Sequence, residues 1–366
     1  MQVQKEDFVH LVRFALAGDA ENARAIIQRI GRRLTGTEPD VATQLEALAA
    51  EAAALVRSTP QPVPVDLDSR LELLRTETPK LDTIHPIWPE SVQSALHDLV
   101  EQRQRAAELA EAGLLPPRSM LLTGPPGVGK TLAARYLAAK LDRPLHTLDL
   151  SAVMSSFLGK TGGNVRTVLD FAKRRPCVLL LDEFDAIAKR RDDAAEVGEL
   201  KRLVTVLLQA VDDWPATGVL IAATNHAELL DPAVWRRFDL VVRFPLPSFD
   251  ETRRAVGQFL GPLAAEYPQW VTVLTLALDG NSFADIQREI LLLRRALVMR
   301  EGEADEQLGM VLQKIREGFT LERRRALAKA LEDLGYSQRR VNKWSGVARD
   351  TLRTKQRKDE ASRSKT

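Results

Sequence analysis

"GPPGVGKT", Gly124 to Thr131, decides the fold of this chain. It fits G-x-x-x-x-G-K-[ST], follows the apolar run "SMLLT" and opens a helical stretch from 130 to 141. Between a strand and a helix, such a loop lets backbone N–H groups wrap phosphate oxygens, and the helix N-terminus adds partial positive charge. The expected nucleotide-binding residues are Gly124, Pro125, Pro126, Gly127, Val128, Gly129, Lys130, Thr131 and Leu132. Lys130 is expected to reach the β- and γ-phosphates, and the Thr131 hydroxyl to ligate Mg²⁺.

Outward from the loop, strands alternate with helices. "SMLLTG", "LHTLDL", "CVLLLDE", "GVLIAATN" and "LVVRFPL" are short apolar runs, with helical stretches at 130–141, 163–174 and 198–211 between them. That alternation predicts an α/β fold with a parallel sheet covered by helices on both faces. "CVLLLDEFD" ends in Asp182 and Glu183. Behind a phosphate loop, the first acid is expected to hold Mg²⁺ through water and the second to polarise the attacking water. Asn225 closes the next strand in "IAATN". Its amide can orient that water or touch the γ-phosphate, although asparagine at a strand end also suits a plain turn.

The remaining segments set the domain plan. Residues 1–58 carry helical stripes, Phe8-Leu11-Val12-Ala15-Leu16 and Ala23-Ile26-Ile27-Ile30 among them, and read as a small helical domain. Residues 59–85 hold Pro60, Pro62 and Pro64 and read as a linker. Residues 86–248 form the α/β domain, with a charged amphipathic helix over 90–112. Residues 249–318 are helical, and 319–366 form a basic helical end.

The net charge of +2 hides an asymmetry: residues 320–366 hold 14 Lys/Arg against 6 Asp/Glu. A basic end on a mildly acidic body suggests an anionic partner there. The one cysteine, Cys177, excludes an intramolecular disulfide and a multi-cysteine metal site, and fits a reducing cytoplasm. Residues 1–20 show no secretory pattern. No apolar run approaches the roughly 20 residues that span a bilayer, so no membrane is expected.

Five colinear stretches, "GPPGVGKT", "LLLDEFDAI", "IAATN", "LDPAVWRRFD" and "GNSFADI", span Gly124 to Ile286. Together they resemble the AAA+ superfamily, and within it the AAA subgroup and its stand-alone bacterial ATPases. The resemblance implies a five-stranded parallel sheet, a small helical lid over 249–318, and a homo-oligomer, usually a hexameric ring, with ATP at subunit boundaries. It places Asn225 at the sensor-1 position. It puts Ala284 where other clades carry a sensor arginine. Arg236 and Arg237 match the arginine-finger segment, with Arg237 before Phe-Asp as the main finger. The family more often spaces two arginines by two residues, and here they are adjacent. Phe157, Leu158 and Gly159 match the aromatic pore loop that grips substrate, and 190–199 would hold a second, charged loop. A local role for Phe157 under its loop is the competing reading.

Past Ser337 the chain reads as helix, turn, helix, with Val341 and Trp344 facing inward and Ser345-Gly346 at the turn. The spacing resembles a helix-turn-helix unit. Arg349, Arg353, Lys355, Arg357 and Lys358 would then contact DNA. Oligomer packing is the other use for such a pair.

The expected function is an ATP-hydrolysing ring motor that unfolds or remodels a protein substrate, working with a separate protease or effector, since these residues carry no protease signature. Two alternatives stand beside it: a DNA-associated ATPase acting on a nucleoprotein complex, and a nucleotide-gated scaffold.

Overall fold

The computed structural model describes residues 73–156, 161–186, 197–299 and 303–348, with residue 64 and, between 26 and 47, residues 26, 27, 29–31, 33, 34, 38–45 and 47. The chain divides into two compact units, Met1–Glu72 and Leu73–Thr366. In the first, the described residues are mostly helical, and Ile26, Ile30, Leu34 and Ala42 are buried together with Leu45 beside them. Ile26 and Ile30 belong to the expected stripe. The stripe from Phe8 to Leu16 lies outside the described residues.

The second unit opens with β1 (Arg75–Glu77), then α1 (Glu90–Gln104), α2 (Ala106–Glu111) and β2 (Ser119–Thr123). It continues through α3 (Lys130–Lys140), β3 (Leu145–Asp149), α4 (Leu150–Ser156), α5 (Thr161–Lys173) and β4 (Val178–Asp182). Then come α6 (Val197–Asp212), β5 (Val219–Thr224), α7 (Pro232–Trp235) and β6 (Leu240–Arg243). The sheet order is β1-β3-β4-β5-β2-β6. The five apolar runs are β2 to β6, all parallel as expected. They read clearly because strands buried on both faces are continuously apolar. Every residue of β2 and β5 is buried.

The sixth strand is a departure. β1 lies inside 59–85, the stretch expected to be linker, and pairs antiparallel with β3. "RTE" has no apolar alternation to announce a strand. Polar bonds set its place: Thr76 Oγ1 lies 2.9 Å from His146 Nδ1, and Arg135 donates to Glu77 at 2.5 Å. The expected helix over 90–112 is present but breaks at Arg105.

Beyond β6 the chain is helical: α8 (Phe249–Leu260), α9 (Leu263–Glu266), α10 (Pro268–Leu278), α11 (Phe283–Met299) and α12 (Ala304–Ile315). Two more follow, α13 (Leu321–Asp333) and α14 (Gln338–Ser345). The boundary expected at 318 is crossed by one core. Leu327, Ala328, Leu331, Val341 and Trp344 are buried with Trp270, Leu274, Ile290 and Leu308 of the preceding helices. Asp305 ties the parts together, accepting from Trp270 Nε1 at 3.1 Å, Tyr336 Oη at 3.1 Å and Arg340 Nη1 at 3.3 Å. The Trp344 indole lies so close on Gly309 that a Cβ there would stand 2.1 Å from its Nε1. Ser337 caps α14 and Gly346 ends it in the left-handed region, as the sequence suggests.

Two adjacent residues join the layers. Trp88 is buried in the core under the sheet, while Ile87 packs against the lid core. Gln258 of α8 donates to the His85 carbonyl at 3.0 Å. Among the described residues, no helix is long and apolar enough to cross a membrane.

Because the tail helices complete the lid core, Trp344→Ala is expected to cost about 3–5 kcal/mol, the usual range for emptying a buried aromatic site. A chain ending at Gly318 should lose the lid's unfolding transition, and one ending at Ala348 should keep it. Denaturant melts of the three variants check this.

Candidate active site

The phosphate loop is pinned at both ends. Gly124 leaves β2 at φ 143°, and a Cβ there would lie 2.0 Å from the Phe244 carbonyl oxygen, so only glycine passes. Val128 is buried in the sheet core and Leu132 packs against it. Pro126, Gly127 and Thr131 stay exposed at the open face. The lid reaches this tip directly: Ala284 N–H donates to the Gly127 carbonyl at 3.1 Å. A Cβ on Gly127, at φ 77°, would lie 2.6 Å from Ser282 Oγ and 2.8 Å from Ala284 Cβ. The position the resemblance assigns to a sensor is thus in contact with the loop through its backbone.

Lys130 opens α3 and is only 7% exposed. Its Nζ donates to Gly124 O at 2.6 Å, Pro125 O at 2.8 Å and Asn225 Oδ1 at 2.7 Å. Burial lowers its pKa to about 8, against the opposing pull of Asp182 and Asp185. Thr131 Oγ1 lies 3.4 Å from Asp182 Oδ2. A hydroxyl and a carboxylate side by side are hard oxygen donors of the kind Mg²⁺ takes directly or through the waters it keeps.

Glu183 stands next in line with an exposed side chain and a left-handed backbone, φ 53°. A non-glycine residue there costs about 1–3 kcal/mol and persists only where neighbours hold it. Here Phe184 is fully buried and its N–H donates to the Ala223 carbonyl at 2.8 Å. The structure therefore brings Lys130, Thr131, Asp182 and Asn225 together, with Glu183 at the same strand end. Sequence reasoning missed Asp185, which is buried and accepts from Thr224 Oγ1 at 3.0 Å. The signal was present in "DEFD", a third acid where a surface turn would expose it.

The arginines lie elsewhere. Asp239 anchors their segment to the start of β2, accepting from Arg118 N at 2.7 Å and Ser119 N at 3.0 Å. The phosphate loop leaves the opposite end of that strand. Five residues at about 3.3 Å each put roughly 16 Å between the two ends. Arg236 and Arg237 are both exposed, and Arg237 pairs with Asp212 at the end of α6. Phe157, Leu158 and Gly159 lie outside the described residues, as do most of 190–199 and all of Arg349, Arg353, Lys355, Arg357 and Lys358.

A parallel sheet whose loop-bearing strand sits between β5 and β6, with a helical lid bonded to that loop, forms a P-loop nucleotide-binding fold. Residues 120–246 match the family described as "ATPase family associated with various cellular activities (AAA)". An AAA family ATPase of Sinorhizobium fredii is 44% identical over 192 residues, covering 52% of this chain and 57% of its own length. The ATP-dependent zinc metalloprotease FtsH of Acidothermus cellulolyticus is 35% identical over 188 residues, 49% of this chain and 28% of its own length. The proteasome-activating nucleotidase of Sulfurisphaera tokodaii is 33% identical over 200 residues, 52% and 51% of the two chains. The match thus spans little more than half of these curated relatives at most. The AAA domain of FIGL-1 superposes with a TM-score of 0.53 at 19% identity, over 77% of this chain and 95% of its own, a likeness of fold.

Phosphates arriving beside Lys130 add negative charge and must raise its pKa from about 8. Binding then takes up a proton where the empty site has lost one. ATP affinity is expected to fall as pH rises from 8 towards 10, with proton uptake on binding. Titration calorimetry in two buffers of different ionisation enthalpy measures both.

Proposed function

We propose that this chain is an ATP-hydrolysing ring motor that remodels protein substrates in the cytoplasm. The observation that carries the reading is the position of Arg237. It is exposed at the end of the sheet opposite its own phosphate loop, so the γ-phosphate it would neutralise belongs to a neighbouring copy. Its bond to Asp212 is an exposed ion pair, weak enough for a phosphate anion to displace.

ATP binds across the loop, whose N–H groups and Lys130 take the β- and γ-phosphate oxygens, and the Asn225 amide faces the attacking water. Glu183 accepts hydrogen bonding from this water and draws its proton as the oxygen attacks the γ-phosphorus. The bond to the β-phosphate oxygen breaks as it does so. Thr131 and Asp182 would hold Mg²⁺, which supplies charge shielding between the phosphates. The partner's Arg237, and Arg236 beside it, stabilise charge spreading over the transferred group. Two relatives bear names that link ATP use to proteolysis, a zinc metalloprotease and a proteasome-activating nucleotidase. Their likeness supports a protein substrate, gripped by Phe157, Leu158 and Gly159 and passed to a separate protease or effector.

Arg237→Ala and Lys130→Ala chains should each be nearly inactive, and mixing them should restore turnover where an intact loop meets an intact arginine. An arginine supplied in trans is worth about 10³-fold or more, so a minority of repaired boundaries is measurable. ATPase rate against mixing ratio is the readout. A flat line in proven mixed rings would refute action across a boundary.

Phe157→Ala should leave basal ATPase within about twofold while stopping the unfolding of a tagged test protein, because the aromatic touches substrate and no phosphate. Unfolding at the unaltered rate would remove the pore-loop role.

A further inference from the structure

Asp185 is 3% exposed. A carboxylate is rarely buried so deeply without donors that need its charge. Its Oδ1 accepts from Thr224 Oγ1 at 3.0 Å and from Asn225 N at 3.3 Å. Thr224 Oγ1 accepts in turn from His226 N at 3.0 Å. One carboxylate thus fixes three consecutive residues at the end of β5. The middle one carries the amide whose Oδ1 meets Lys130 Nζ at 2.7 Å.

A strand end is ordinarily free to fray, since its last carbonyls and N–H groups have no ladder partners. Here the fraying is suppressed from the neighbouring strand. Asp185 follows β4 by three residues, and the Phe184 N–H donates to Ala223 O at 2.8 Å, just before the clamped triplet. Backbone and side chain of the β4 turn therefore grip β5 on successive residues. A charged acceptor makes shorter and stronger bonds than a neutral one, and two donors converge on a single oxygen.

We propose that Asp185 is a positioning residue for Asn225: it clamps residues 224–226 so that the amide is aimed at the γ-phosphate and the attacking water. The proposal rests on the reading of this site as one that hydrolyses ATP with Asn225 at the water. Its effect falls on turnover rather than on nucleotide affinity, because these bonds run to the end of β5 and not to the phosphate loop.

The experiment is a double-mutant cycle on the full chain, with turnover measured at saturating ATP and affinity by a fluorescent ATP analogue. Asp185→Asn keeps the size and one acceptor but loses the charge. It is expected to lower kcat about 10- to 100-fold, the range for groups that orient a reacting residue at second hand, with a change in Kd that is small beside it, since the lost charge bears on Lys130 as well. Asn225→Ala is expected to lower kcat as well, and adding Asp185→Asn to it should change little further, since the residue being aimed is already gone. If Asp185→Asn fails to fold, Thr224→Val takes its place in the cycle. It deletes the bridging hydroxyl and leaves the charge. Effects that multiply in an active wild-type background, or a loss confined to Kd, overturn the proposal alone. A wild-type chain that binds ATP and never turns it over removes the hydrolytic reading and this proposal together.

Discussion

An ammonium group taken out of water needs an acceptor for each of its three protons. Lys130 finds them in the carbonyls of Gly124 and Pro125 and in Asn225. That is possible only because β2 and β5 are neighbours in the sheet, although about a hundred residues separate them. The crossover through β3 and β4 is what brings β5 back beside β2. Sheet order, loop geometry and the strand-end asparagine are therefore one constraint seen at three scales. A slip of one residue in the β2–β5 register would leave the ammonium short of an acceptor and turn Asn225 to the wrong face.

Much of this was legible in the sequence, for physical reasons that also mark where legibility stops. β2 to β6 announce themselves because strands buried on both faces must be apolar throughout. The phosphate loop is legible because close backbone approach leaves only glycine at positions such as Gly124. β1 escaped because its place is set by Thr76–His146 and Glu77–Arg135, pairings across 70 and 58 residues that no local pattern encodes. Asp185 escaped for the same reason, since an acid after a strand looks solvated until its donors on another strand are known. The basic end was read as a unit of its own from its charge. Its apolar residues were few, yet Leu327, Leu331, Val341 and Trp344 suffice to join its described helices to the lid core.

The lid touches the phosphate loop at the Gly127 peptide. The Gly127 carbonyl holds Ala284, and the absence of a side chain on Gly127 lets Ser282 and Ala284 settle there. Nucleotide in the loop and position of the lid are thus read by the same few atoms. Under the proposed reading, the outlying arginines would extend this logic to a neighbouring copy. Arg237 stands a strand's length away from the loop, and its pairing with Asp212 leaves it at the surface.

Two segments at the junction of the layers share a composition. One is Pro86-Ile87-Trp88-Pro89, with Ile87 in one core and Trp88 in the other. The other is Pro245-Leu246-Pro247, between β6 and α8. Proline fixes φ near −65° and also restrains the residue before it. The backbone of each segment is consequently restrained. Among the described residues only the second carries the chain from the sheet layer into the lid, so that passage is a stiff strut and not a slack tether.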